Sequence, residues 1–284
     1  MPFENLLKSI FIGIFPLLGL YLAIDSSIRI VNDFSFTTLS LWIASMTIVV
    51  FFSLIFLYKR ARTDENLRSY SLAILVSMLV SVYGYLQTGS MTRDVMFLAL
   101  VVVAWAAYVR WYSRFSSRDN DALKVGQPLP LFEIEDIEQN RLSSKDFRGN
   151  ISLLLFYRGN WCPLCMAQIK EVAEEYKQLA EMGVKTYLIS PQSTKHSSSL
   201  SRKYKLDFNY LVDKGNKVAQ QLGIYAKNGL PMGLQVLGYD SDTVLPTVLV
   251  VDKAGKIIFA DLTDNYRIRP EPATFIKIIK ANLK

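Results

Sequence analysis

Uncharged stretches dominate the first 115 residues. Residues 34–58 hold 25 consecutive positions without Asp, Glu, Lys or Arg, and residues 69–92 hold 24. About 20 apolar residues carry an α-helix across the hydrocarbon core, so each run predicts a transmembrane helix. Two shorter runs, residues 9–24 and 95–109, hold 16 and 15. Each reaches spanning length if a flanking cation snorkels, Lys8 for the first and Arg110 for the second. An interfacial or buried core helix is the alternative for these two. Four spans are expected. Lys8 followed by an apolar stretch also fits a signal peptide, but Ala23-Ile24-Asp25 is a poor cleavage site and further spans follow. The first run therefore reads as a retained helix. Trp42, Tyr58, Tyr70, Tyr83, Tyr85, Trp105, Tyr108, Trp111 and Tyr112 lie at or near segment ends, as interface aromatics do. Pro16 and Gly84 read as packing or kink positions, and no polar residue within the runs points to transport.

The pattern changes near Arg118. A polar linker, Ser116-Ser117-Arg118-Asp119-Asn120-Asp121, leads into a chain that alternates strand-like and helix-like segments. Residues 151–157 (ISLLLFY) form a continuous apolar run, as a strand buried on both faces does. Residues 163–181 have helical spacing, 184–190 a second strand, 195–204 a helix, 208–212 a short strand and 216–222 a short helix. After Pro246, the sequence TVLVVD, a turn at Lys253-Ala254-Gly255 and KIIFADL predict a hairpin. Residues 270–283 close with an amphipathic helix, Pro near its start. Strands separated by helices, then a hairpin and a last helix, predict an α/β sandwich. The expected organisation is an all-α transmembrane region of about four helices (1–115), a linker (116–123) and an α/β domain (124–284).

Composition sharpens this in three ways. Hydrophobic residues make up 51% of the 284 positions, which excludes a disordered chain. The net charge of +7 is unevenly placed. Lys8, Lys59, Arg60, Arg62, Arg68, Arg110, Arg114 and Arg118 fall on one side of a four-span layout, and only Arg29 and Arg93 on the other. The positive-inside rule then puts both ends in the cytoplasm of a bacterial-type inner membrane; with only three spans the C-terminal domain is extracytoplasmic. The C-terminal domain has an ordinary mixed-charge surface, so no nucleic-acid partner is expected. The single histidine, His196, leaves no His-based metal site or triad, and reads as an exposed residue near a helix start.

Both cysteines of the chain lie in Trp161-Cys162-Pro163-Leu164-Cys165, between a predicted strand and a predicted helix. A helix N-terminus offers free N–H groups and partial positive charge, which favour thiolate over thiol. Pro163 suits the first turn, where its missing N–H costs nothing. Separation by three residues lets the thiols close a small ring, one attacking and the other resolving. Arg158, four residues before Cys162, is placed either to stabilise a thiolate or to end a strand at the surface. Trp161 reads as a docking face or a packing ring. The alternatives for the pair are half of a zinc site shared between two chains, a structural disulfide, and two inert core thiols. Asp252 and Asp261 flank the hairpin and are not expected to be catalytic.

Phe156-Tyr157-Arg158-Gly159-Asn160-Trp161-Cys162-Pro163-Leu164-Cys165 closely resembles the active-site strand and turn of peroxiredoxin-like proteins of the AhpC/TSA–redoxin group. Gly126-Gln127-Pro128-Leu129-Pro130 with residues 142–149, Ile189-Ser190-Pro191-Gln192, and residues 266–272 (YRIRPEP) resemble further segments of that group. Leu245-Pro246-Thr247 looks like the cis-proline turn of thioredoxins. The resemblance spans roughly residues 124–283 and implies a thioredoxin-like fold. On mechanism it divides. Laid on the peroxiredoxin loop Pro-x-x-x-Thr/Ser-x-x-Cys, the peroxidatic position is Cys165, the Thr position Cys162 and the Pro position Arg158. That family's arginine on a later strand falls at Pro246. The thioredoxin pattern instead implies Cys162 as an exposed nucleophile, Cys165 as the resolving thiol, and Pro246 and Thr247 beside a bound peptide.

The function expected is a membrane-anchored thiol–disulfide oxidoreductase with Cys162 and Cys165 as catalytic pair and Trp161, Arg158, Pro246 and Thr247 as substrate-binding residues. A thiol-dependent peroxidase with Cys165 peroxidatic is the alternative. A non-enzymatic redox-sensing membrane subunit is a third reading. The partners expected are a protein or small-molecule disulfide or peroxide, a cellular dithiol reductant and the lipid bilayer. No cofactor and no metal are expected.

Overall fold

The structure, a computed structural model, describes residues 2–58, 60–89, 91–115 and 120–283. Lys59, Arg118 and the first half of the expected linker, residues 116–119, lie outside the described residues. Four N-terminal helices follow the apolar runs: α1 (Pro2–Asn32), α2 (Phe36–Leu57), α3 (Arg68–Thr88) and α4 (Arg93–Ala107). All four are long and apolar enough to cross a membrane, α4 once the turn that extends it to Tyr112 is included. That extension is a single π turn, Tyr108–Tyr112. The two short runs thus lie within longer helices, because charged residues at their ends are paired within the bundle. Arg29 of α1 meets Asp94 of α4 at 2.6 Å and Asp25 at 2.9 Å, and Thr38 of α2 donates to Asp94 at 2.6 Å. Sequence reading counted Arg29 for orientation only and gave it no partner; these residues tie three helices at one end. Helix α2 is the central one, with α1, α3 and α4 packed around it. Gly19 of α1 permits that approach: a Cβ there would lie 2.6 Å from Ile48 of α2.

The rest is an α/β sandwich. In chain order it comprises β1 (Glu133–Asp136), β2 (Arg141–Ser143), β3 (Ile151–Phe156), α5 (Pro163–Glu174), α6 (Tyr176–Glu181), β4 (Val184–Ser190), α7 (Thr194–Tyr204), β5 (Asn209–Val212) and α8 (Lys217–Gln221). There follow β6 (Tyr225–Ala226), β7 (Thr243–Val244), β8 (Thr247–Val251), β9 (Ile257–Asp261) and α9 (Pro272–Ala281). Seven strands form one sheet in the order β2-β1-β5-β4-β3-β8-β9. Strands β3, β4 and β5 are parallel, while β8 runs antiparallel to β3 and pairs with β9 as the expected hairpin. This is the thioredoxin-like arrangement. Every residue of β3 is buried, which is why its sequence does not alternate and is apolar except for Ser152, whose hydroxyl donates to the Phe147 carbonyl at 3.0 Å. Leu153 and Leu155 pack with α5 and α9 on one face; Leu154 and Phe156 pack with Phe132, Phe147 and α8 on the other.

The expected helix over 163–181 breaks at Glu175 into α5 and α6. No Gly or Pro marks the break; beyond it, the Tyr176 ring lies 5.4 Å from Phe208. Asp252 closes the hairpin turn by accepting from the Ala254 and Lys256 amides, a structural task.

The helical bundle and the sandwich meet around Arg267, which is 0% exposed. Its guanidinium donates to Ser113 Oγ at 2.9 Å, Thr63 Oγ1 at 2.9 Å and the carbonyls of Asp64 and Glu65 at 2.8 and 2.9 Å. Tyr108 and Tyr266 share a buried hydroxyl–hydroxyl bond of 2.6 Å beside it. Arg62 pairs with Glu171 of α5, and Tyr266 N–H donates to the Ser113 carbonyl. Removing a buried charge from partners it satisfies leaves those acceptors without donors. Arg267→Met is therefore expected to destabilise the full chain by about 3 kcal/mol. Thermal unfolding in nanodiscs would measure this, and an unchanged midpoint would show that the junction contributes little.

Candidate active site

Strand β3 ends at Phe156, and the next six residues turn the chain into α5. Gly159 is needed in that turn: its φ is +147°, and a Cβ would sit 2.7 Å from Trp161 Nε1. Gln192, in the turn after β4, supports the same segment. Its side chain accepts from the Asn160 amide at 2.9 Å and donates to the Tyr157 hydroxyl at 2.9 Å and Asn160 Oδ1 at 3.1 Å. The turn delivers Cys162 as the N-cap of α5, with Pro163 in the first helical turn as expected. The Cys165 amide donates to Cys162 Sγ at 3.4 Å, so the cap is a sulfur.

Both thiols are free, and both are buried: Cys162 is 2% exposed and Cys165 0%. The exposed Cys162 that the thioredoxin resemblance implies is not what the fold presents, because segments from the bundle lie over this face. A cavity of about 40 Å³ is lined by Lys8 and Ile12 of α1, Tyr112, Phe115, Arg158 and Gly229. Arg158 donates to the Gly229 carbonyl. Its guanidinium also stacks 4.6 Å over the Trp161 ring, so the two expected docking residues form one unit.

Arg269 supplies what motif comparison did not find. It lies in the segment before α9, is buried, and donates from Nη2 to Cys165 Sγ at 3.5 Å and from Nη1 to Gln168 Oε1 at 2.8 Å. The peroxiredoxin-like motif put an arginine at the position of Pro246; here a guanidinium reaches the sulfur from a different segment. The sequence signal was present as an uncompensated arginine in YRIRPEP, but no spacing rule connects it to the cysteines. Pro246 and Thr247 line a small cavity together with Gln168 and Arg269. Thr247 Oγ1 donates to the Leu245 carbonyl at 2.9 Å. The expected cis-proline is not found: no peptide bond among the described residues is cis, so Leu245–Pro246 is trans.

The electrostatics make one thiolate from two thiols. Burial alone would raise Cys165, but the hydrogen bond from Cys162, the Arg269 charge and Arg158 draw it down to about 5. Burial and the proton shared with Cys165 push Cys162 well above the ordinary thiol value. Burial by itself would lower the pKa of Arg269; the facing thiolate outweighs it and raises that pKa. The two thiols are thus driven in opposite directions, Cys162 toward thiol and Cys165 toward thiolate. His196 stands apart from this chemistry, its ring stacked 4.2 Å from Tyr239. No cluster of three or more His, Cys, Asp or Glu side chains suited to a metal occurs among the described residues.

A thioredoxin-like sheet with a Cys-x-x-Cys pair capping its first helix defines a thiol redox enzyme. The AhpC/TSA family model matches residues 125–260. The putative peroxiredoxin bcp of Coxiella burnetii is 34% identical over 103 residues, covering 36% of this chain and 68% of the relative. The thiol-disulfide oxidoreductase ResA of Bacillus cereus is 25% identical over 162 residues, 57% of this chain and 82% of the relative. Among solved structures, peroxidoxin BcpB from Mycobacterium tuberculosis is 20% identical with a TM-score of 0.45, covering 57% of this chain and 96% of that one. The chain belongs to the AhpC/TSA family, and it is an enzyme, a thiol–disulfide oxidoreductase or thiol peroxidase.

Proposed function

We propose that the protein is a thiol–disulfide oxidoreductase anchored in a bilayer by α1 to α4, with the Cys162–Cys165 pair cycling between dithiol and disulfide. The observation that carries this reading is the pair of free sulfurs at the N-terminus of α5, with Cys162 capping the helix and accepting from the Cys165 amide at 3.4 Å. The Cys165 thiolate takes the Cys162 proton, and the Cys162 thiolate attacks one sulfur of a substrate disulfide. A mixed disulfide forms on Cys162 and the other substrate sulfur leaves as thiolate, which takes the proton from Cys165. The Cys165 thiolate then attacks Cys162 Sγ, closing the internal disulfide and releasing the second substrate thiolate. A cellular dithiol reverses the internal disulfide. Trp161 and Arg158 form the docking face, with Pro246 and Thr247 behind the sulfurs.

One observation favours a second reading. The guanidinium on Cys165 suits peroxide chemistry, in which the Cys165 thiolate attacks the hydroperoxide, leaving sulfenic acid and an alcohol or water. The Cys162 thiol then condenses with the sulfenic acid, releasing water and forming the same disulfide.

The anchoring half of the proposal has its own test. Arg62, Arg68, Arg110 and Arg114 lie at the end of the bundle that carries the redox domain, and Arg29 and Arg93 at the other. A C-terminal fluorescent-protein fusion in a bacterial inner membrane is expected to fluoresce, and a C-terminal alkaline phosphatase fusion to be inactive. The reverse pattern would place the redox domain outside the cytoplasm.

A further inference from the structure

Between β6 and β7 the chain makes an excursion, residues 227–242, that the thiol chemistry does not explain. Residues 229–239 (GLPMGLQVLGY) contain no charge, between Lys227 and Asp240. Its tip leaves large apolar side chains open: Val236 is 88% exposed, and Met232 and Leu237 are exposed beside it. On a water-facing surface such a cluster is costly.

The excursion is fastened to α1, and the contacts descend that helix. Asn5 Nδ2 donates to the Lys227 carbonyl at 2.9 Å. One turn on, Ser9 Oγ donates to the Leu230 carbonyl at 2.5 Å, and the Met232 amide donates to the Ser9 carbonyl at 3.1 Å. A further turn on, a Cβ at Gly13 would lie 3.3 Å from the Met232 carbonyl oxygen. From Asn5 to Gly13 the helix advances about 12 Å. Ser9 is where the uncharged run of α1 begins, and Leu17, four residues past Gly13 on the same stripe, is exposed. The excursion therefore follows α1 from its polar end into the level of its apolar surface.

The tip is also built for a medium poor in water. It folds as a short 3-10 turn, Leu234–Leu237. The amides of Leu234, Val236 and Gly238 donate to the carbonyls of Pro231, Gly233 and Gln235, and the Gly233 amide to Gln235 Oε1. Backbone groups satisfied within the segment are what a lipid environment requires. Tyr239, at the return, has the amphipathic ring common at membrane interfaces.

We propose that residues 230–238 insert into the bilayer interface beside α1, giving the redox domain a lipid contact of its own in addition to the four spans. The wedge rests on the four-span reading but is separable from it. Its root, Gly229, lines the cavity beside Arg158, so the wedge sets that cavity at the membrane surface.

The test uses the full chain in phosphatidylcholine nanodiscs, with Cys162→Ser and Cys165→Ser to remove the native thiols. Single cysteines are then introduced as Val236→Cys, Ala254→Cys and Leu79→Cys and labelled with an environment-sensitive nitrobenzoxadiazole dye. Ala254 lies on the turn between β8 and β9, at the end of β8 away from the thiols, and Leu79 is an exposed position of α3. The label at 236 is expected to be blue-shifted, quenched by doxyl lipids and shielded from iodide in water. The label at 254 should show the opposite, and that at 79 should be quenched by doxyl lipids. A label at 236 as open to iodide as that at 254, with 79 quenched, overturns the wedge alone. A label at 236 shielded from both quenchers means a protein surface covers it and also overturns the wedge. A label at 79 that lipid does not quench overturns the four-span reading and the wedge with it.

Discussion

Cys162→Ser is expected to lower disulfide turnover by at least about 10³-fold, because the attacking atom and one half of the internal disulfide vanish together. The same substitution separates the two chemistries. If disulfide exchange is the native reaction, Cys162→Ser makes no mixed disulfide, while Cys165→Ser traps one on Cys162. If peroxide is the native substrate, Cys162→Ser still reacts once, and the Cys165 sulfenic acid persists because its partner thiol is gone. Mass spectrometry after stoichiometric oxidant reads both outcomes. Full turnover in Cys162→Ser would remove that residue from the mechanism. A sulfenic acid on Cys165, formed far faster than on a free thiol, would move the peroxidase reading to first place.

Arg269→Met should have the second-largest effect, and its sign depends on pH. The wild-type Cys165 thiolate is held near 5, so it persists down to mildly acidic pH and is lost as pH falls through that value. Without the guanidinium one lowering influence is gone while the Cys162 hydrogen bond and Arg158 remain, so the pKa rises toward the ordinary thiol value of about 8.5. A full return would leave roughly one thiolate per thousand thiols at pH 5.5, and the greater nucleophilicity of the higher-pKa thiolate would recover about 30–40-fold. Alkylation at pH 5.5 is therefore expected to slow, by at most roughly 20–30-fold, whereas at pH above 9 the variant should be the faster of the two. Thiolate absorbance near 240 nm against pH gives the midpoint directly. Arg269→Lys keeps the charge and should restore part of the shift; a purely structural role for Arg269 would leave the midpoint where it is.

Legibility from sequence differed by element. Strand β3, β4, the hairpin and α9 were plain because each carries a local signal: a buried apolar run, a turn, or Pro at a helix start. The cysteine pair was plain because strand, turn and helix are contiguous around it. Arg269 was not, since 104 residues separate it from Cys165 and only the fold closes that distance. The trans Leu245–Pro246 bond and the buried Cys162 were misread for a related reason. Both expectations came from a family pattern; Tyr112 and Phe115, packed against the cluster that holds Cys162, account for its burial, and nothing in the structure explains the trans bond. The pairing of Arg29 with Asp94 was invisible because it joins the ends of two helices distant in sequence.

The buried arginine at the junction has a kinetic meaning. A catalytic head on a slack tether sweeps a volume fixed by linker length and meets partners from every side. Arg267 is clamped to Ser113, Thr63 and the carbonyls that lead into α3, so this head has no swivel. With α1 to α4 in a bilayer, as proposed, it would keep one height and one facing as it drifts. Its encounters would then be those of a two-dimensional search, decided by which molecules share its plane and how fast they diffuse within it.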